Sequence, residues 1–244
     1  MSDSPVTFHK GDDPNILAAA RKARGSFRYF WQQIALDFNR IVPALSLACL
    51  KVPFSDDPSD PEAQVEQMWV DEITFDGVNI EGVLINAPNW LTSVLQGDDV
   101  SFPVSQISDW LLVMGEVVYG GYSIQVLRKQ MSPEERAGHD EAWGLNFPDP
   151  ETVLVPERNK EFEQVIADLM VEQLDKDPML VHTTYDNGRT LLHLESLYGR
   201  PLSVKALLER GADPTTRCDR GWTAHDYAKS LQWDEVLAVL GEAT

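Results

Sequence analysis

Between Ile16 and Phe38 the apolar positions Ile16, Ala19, Ala20, Ala23, Phe27, Phe30, Trp31, Ile34 and Phe38 recur at the spacing of one helix face. Asp13 followed by Pro14 supplies a cap and then a residue suited to the first turn, and Pro43 closes the run. Gly25 lies inside it and marks a place for a kink or a break. From Leu45 to Phe54 the period drops to two, as in a strand. Ser55 to Ala63, with Pro58, Pro61 and four acids, reads as an exposed loop. Val65–Phe75 and Val78–Ala87 then form a predicted hairpin around Asp76-Gly77. A short strand, Val100–Val104, and a longer one, Trp110–Tyr119, lead into Gly120-Gly121. Ser132-Pro133-Glu134-Glu135 opens a last short helix. A helix followed by consecutive strands predicts an α+β domain with a mainly antiparallel sheet over residues 1–150.

Over residues 151–244 the pattern becomes helical and repeats. Asn187-Gly188-Arg189-Thr190-Leu191-Leu192-His193 returns 33 residues later as Arg220-Gly221-Trp222-Thr223-Ala224-His225-Asp226. Val204 and Leu207 map onto Leu237 and Leu240, and backwards onto Val171 and Leu174, at the same offset. Leu207-Leu208-Glu209-Arg210-Gly211-Ala212-Asp213-Pro214 stands between the two copies. This pattern resembles the ankyrin repeat in both its turn and its loop motif. It departs from that pattern at Leu191, at Glu195 where a small residue is usual, and at His225 where Leu is usual. The resemblance makes His193 a structural histidine, tied to Thr190, and implies an all-α segment. Two and a half repeats are too few to bury a continuous core alone, so they are expected to lean on a capping helix, Glu161 to Leu174, or on the first domain. It also implies partner binding through the tips, at Tyr185, Asp186, Arg189, Asp219, Arg220 and Trp222.

Charge narrows the partner. The 244 residues carry a net charge of −19, with −13 in residues 1–156 and −6 in 157–244. Residues 52–127 contain 13 Asp and Glu and not one Lys, Arg or His. A folded acidic face repels phosphates and anionic lipid and attracts basic proteins, which sets nucleic acid and membrane aside as partners. The apolar run Ile16–Ala20 is far shorter than the core of a signal sequence, so none is expected, and no stretch nears the ~20 apolar residues of a membrane helix. The two cysteines, Cys49 and Cys218, fall in different domains and are expected to stay reduced. A cytoplasmic location follows.

Met68-Trp69-Val70, Gly82-Val83-Leu84-Ile85-Asn86, Gly97-Asp98-Asp99-Val100, Ile107-Ser108-Asp109-Trp110 and Gly120-Gly121-Tyr122-Ser123 occur in that order. Together they resemble the YegJ-like family, a small bacterial domain without an established activity, over roughly residues 15–145. Gln125 stands where that family is expected to carry Arg. Such domains accompany bacterial toxin and secretion systems, so the resemblance implies an immunity role, in which acids such as Asp98, Asp99 and Asp109 meet a basic toxin or effector.

Chemistry of other kinds is weakly written. His and Cys are never grouped at zinc spacing, no Gly-x-Ser-x-Gly elbow occurs, and no Gly-rich loop is followed by Lys. Adjacent carboxylates such as Asp71-Glu72 and Asp98-Asp99 are expected to be solvated surface. The expectation is a binding protein without cofactor or metal rather than an enzyme. Its competitor is a small-molecule site or unrecognised enzyme, with Asp109 as polar anchor in a pocket walled by Trp69, Trp110 and Tyr122. A structural reading of the same residues has Asp109 capping a turn while Trp110 fills the core.

Overall fold

The computed structural model describes residues 13–60 and 63–242, so Pro61 and Glu62 of the predicted acidic loop lie outside the described residues. The chain divides into two compact units, residues 1–156 and 157–244. Residues 151–156 go with the first unit, where the Gly120 N–H donates to the Leu154 carbonyl.

Helix α1 (Pro14–Asp37) is capped by the Asp13 carboxylate, which accepts from the Asn15 N–H at 2.8 Å. It runs unbroken through Gly25, whose missing side chain faces open space. The expected break is absent, and the stripe buried from Ala19 to Leu36 continues across the glycine on the other face. Gly25→Ala should therefore stabilise the first unit by about 0.5–1 kcal/mol, since alanine loses less backbone freedom in a helix. A higher urea midpoint with unchanged slope is the expected reading.

Among the described residues six strands follow: β1 (Leu45–Phe54), β2 (Glu66–Phe75), β3 (Asn79–Leu84), β4 (Asp99–Pro103), β5 (Asp109–Met114) and β6 (Val117–Gly120). They form one antiparallel sheet in the order β4-β3-β2-β1-β5-β6. The predicted single strand Trp110–Tyr119 is two strands. Met114 pairs with Val117 around Gly115-Glu116, and Gly115 takes φ +62° as the first residue of a two-residue turn. Helices α2 (Tyr122–Arg128), which the sequence reading did not anticipate, and α3 (Pro133–Trp143) complete the unit. Helix α3 starts at a capping box formed by Ser132 and Glu135.

Strand alternation sends residues to two covered faces. Leu50, Val70, Leu84 and Trp110 lie opposite one another across β1, β2, β3 and β5, and the Trp110 ring meets Phe30 of α1. On the other face Cys49, Trp69, Leu111, Val113, Val118 and Ile124 pack against Trp143, Leu145 and Phe147. The sheet is also split. Pairing of β1 with β2 runs from Phe54↔Glu66 to Leu50↔Val70 and stops. Beyond that point β2 bulges at Glu72, a non-glycine at φ +52°, and Gly82 opposite admits the bulge because a Cβ there would lie 2.5 Å from the Asp71 carbonyl oxygen.

In the second unit α4 (Lys160–Lys176) is capped by Asn159, and Arg158 binds both Glu163 at its start and Glu235. Two helix pairs follow, α5 (Leu191–Leu197) with α6 (Pro201–Glu209) and α7 (Ala224–Ser230) with α8 (Asp234–Glu242). Thr190 and Thr223 open α5 and α7 with capping boxes 33 residues apart. Helix α4 buries Ile166, Ala167 and Leu174 and so closes one end of this short stack. The departures at Glu195 and His225 are absorbed differently: Glu195 is buried against Arg200 at 3.3 Å, whereas His225 is exposed.

Candidate functional site

Two tips stack side by side in the second unit. In the first, Thr184 bridges to Thr190, the Tyr185 N–H donates to the Arg189 carbonyl at 2.7 Å, and Asn187 and Gly188 take φ +61° and +66°. In the second, the Cys218 N–H donates to the Trp222 carbonyl at 2.9 Å and Gly221 takes φ +81°. The tips are joined directly. The Asp219 N–H donates to the Asn187 carbonyl at 3.0 Å, and the Asp219 carboxylate sits where a side chain on Gly188 would be.

His193 carries this junction. Its Nδ1 accepts from the Thr190 N–H at 3.0 Å, so Nε2 holds the proton and donates to the Thr216 and Trp222 carbonyls, both at 3.1 Å. Burial holds its pKa below the ordinary imidazole value. A neutral imidazole in one tautomer is what this set of partners needs.

Repeat stacking thus gathers Tyr185, Asp186, Arg189, Asp219, Arg220 and Trp222 on adjoining tips. Tyr185 (41% exposed), Asp186, Asp219 and Arg220 face solvent, while Arg189 and Trp222 are half-buried. The Trp222 ring stands edge-on to Tyr227 at 5.3 Å, and the Arg220 guanidinium lies 5.6 Å from its centre. Trp, Tyr and Arg, all present on these tips, are the residue types enriched among interface hot spots.

The first unit treats its predicted residues unevenly. Asp99 is exposed at the start of edge strand β4, and half-buried Asp98 accepts from the Leu95 N–H at 2.8 Å. Asp109 is wholly buried and cannot reach a partner. Its Oδ1 accepts from the Trp110 and Tyr122 N–H groups at 2.8 and 2.9 Å, and its Oδ2 accepts from the Ser123 N–H and hydroxyl at 2.6 Å each. Burial pushes its carboxyl above the ordinary range, while these donors and nearby Lys51 pull it back. Glu66 is likewise interior and is held by Asn89, so the acidic run is not wholly surface.

The predicted pocket of Trp69, Asp109, Trp110 and Tyr122 does not form. Lys51 stands opposite both Trp69 and Asp109, and Leu50 stands opposite Trp110, so the two tryptophans point to opposite faces of the sheet. Trp69 packs on Trp143, and Trp110 packs between Phe30 and Tyr122. Gln125, where an Arg was expected, is buried and accepts at 2.7 Å from Arg128, which also grips Asp140 and the Pro148 carbonyl. Ser123 and Arg128 were missed because the helix that presents them follows two glycines and carries no capping signal. Among the described residues no helix is long and apolar enough to cross a membrane.

Residues 13–147 match a family model described as an uncharacterized protein conserved in bacteria, DUF2314, and residues 174–228 match ankyrin repeats. A protein of Neisseria meningitidis serogroup B named for ankyrin repeats is 39% identical over 249 residues, covering 98% of each chain. The uncharacterized protein YegJ of Escherichia coli strain K12 is 30% identical over 86 residues, 35% of this chain and 53% of that one. No solved structure matches.

Proposed function

The chain belongs to the DUF2314 family of bacterial proteins, with ankyrin repeats after the family domain, and from that premise we propose that it is a cytoplasmic immunity protein that binds and masks a basic toxin or effector. One observation carries this reading: the repeat tips hold exposed Tyr185 and half-buried Trp222 beside charged neighbours on a rigid scaffold. The ankyrin repeats make the chain a protein-interaction module. Its net charge of −19 selects a basic partner, because complementary charge speeds encounter and rejects acidic competitors. On this reading the chain is a binder rather than an enzyme, since the predicted polar anchor Asp109 is spent on backbone donors.

The test is copurification of the tagged chain from native lysate at low and moderate salt. One basic protein, stoichiometric, harmful when expressed alone and harmless when coexpressed with this chain, is the expected result. In the purified complex, Asp98→Lys with Asp99→Lys should slow association about tenfold at low salt, an effect that fades as salt rises. Trp222→Ala should leave association unchanged and speed dissociation. A complex indifferent to both changes refutes the proposal.

A further inference from the structure

The split in the first unit's sheet leaves a stretch of strand edge open. Beyond Leu50↔Val70, residues Leu45–Cys49 pair with β5 alone and Asp71–Phe75 pair with β3 alone. The two strands therefore face each other across a gap with their inner backbone groups not joined. Most sheets cover such an edge, because it is a ready template for another strand. The gap opens into a cleft of about 570 Å³ lined by Ile34, Phe38, Pro43, Leu45, Leu47 and Ile73. Its mouth is unusually apolar: Phe38 is 59% exposed, and the loop that joins two lining segments carries exposed Ile41 and Val42.

The charge at this cleft is unbalanced. Asp37 is matched by Arg40 at 2.9 Å and holds the Ala44 N–H. Asp71 and Glu72 also line the cleft, adjacent in sequence, and form no ion pair among the described residues. Partial burial first, and then Glu72, push the Asp71 carboxyl above its ordinary range, and an incoming cation would offset the repulsion from Glu72.

We infer that this cleft docks an extended peptide segment carrying Lys or Arg between apolar residues, which adds as a strand to the open edge and sets its cation against Asp71 and Glu72. Backbone groups along the open edge of β2 supply the affinity, and the acids with the apolar lining supply the choice of sequence. A second copy of this chain is a poor occupant, because each copy carries −19 and the same acidic rim. The inference does not depend on the partner assigned to the repeat tips.

A fluorescein-labelled heptapeptide of alternating Val and Lys, titrated into the full chain and followed by anisotropy, tests it. Saturable binding is expected, weakened about tenfold by Asp71→Asn with Glu72→Gln, as the loss of hydrogen bonds to charged groups implies. On the unaltered chain, N-methylation of alternate peptide nitrogens in one register should abolish binding, while methylation in the other register leaves it intact. This comparison involves no protein variant and so does not depend on one folding. Equal binding of both methylated peptides would show attraction by net charge only and overturn the inference. So would a chain that doubles its mass and is not returned to the monomer by the peptide.

Discussion

Replacing Asp109 by alanine is expected to cost the first unit about 3–5 kcal/mol, a loss comparable to breaking a buried ion pair. The reason is what remains behind. The N–H groups of Trp110, Tyr122 and Ser123 lose their acceptor inside the protein, and each buried unsatisfied group costs roughly 1–3 kcal/mol. Relief from burying a carboxylate offsets part of that sum. Asp109→Asn keeps one accepting oxygen but turns an amide against donors, so about half the loss is expected. With total stabilities of about 5–15 kcal/mol, the alanine variant should sit near the edge of folding. Urea unfolding followed by tryptophan fluorescence measures this, and five of the seven tryptophans lie in the first unit. An alanine variant with unchanged midpoint would return Asp109 to the list of binding residues.

Gly120→Ala should be as damaging, for a different reason. Gly120 takes φ +76°, and a Cβ there would overlap the Trp110 carbonyl oxygen and lie 2.6 Å from its Cζ3. Neither can yield, because Trp110 is wholly buried with its ring between Phe30 and Tyr122, and its indole N–H donates to the Ser26 hydroxyl at 3.0 Å. A left-handed non-glycine costs roughly 1–2 kcal/mol and overpacking about 1–3 more. Gly115→Ala provides the contrast. At φ +62° with open space around it, it should lose only the first of those amounts. If both variants lose the same amount, the close approach to Trp110 carries no weight.

These two predictions concern one structural knot. Ser108-Asp109-Trp110 and Gly120-Gly121-Tyr122 are the more specific parts of the resemblance to the YegJ-like family, and the fold brings them together: the Asp109 carboxylate holds the N–H groups of Tyr122 and Ser123, and the Gly121 N–H donates to the Trp110 carbonyl at 2.8 Å. Residues that looked like a ligand pocket are the joint between β5, β6 and α2. Asp109, Trp110, Gly120, Gly121, Tyr122 and Ser123 thus hold this fold together, and the binding surfaces proposed above lie elsewhere, at the repeat tips and at the cleft of the split sheet.

The helix α1, the hairpin of β2 and β3, the antiparallel α+β class and the ankyrin stack were all legible in the chain, because each rests on local periodicity, a capping residue or a fixed repeat of 33. The six tip residues were legible for the same reason, since a repeat fixes which loop each residue occupies. Pairing partners were not. That β5 adds beside β1, so that Asp109 faces Lys51 while Trp110 faces Leu50, depends on register between strands nearly sixty residues apart, and one step of register reverses every side chain. The bulge at Glu72 and the parting of β1 from β2 were equally hidden, for they arise where Gly82 lets two backbones approach and no local signal marks the spot. Local chemistry determined the elements, and only tertiary pairing decided which acids are buried, which are exposed and where the sheet stands open.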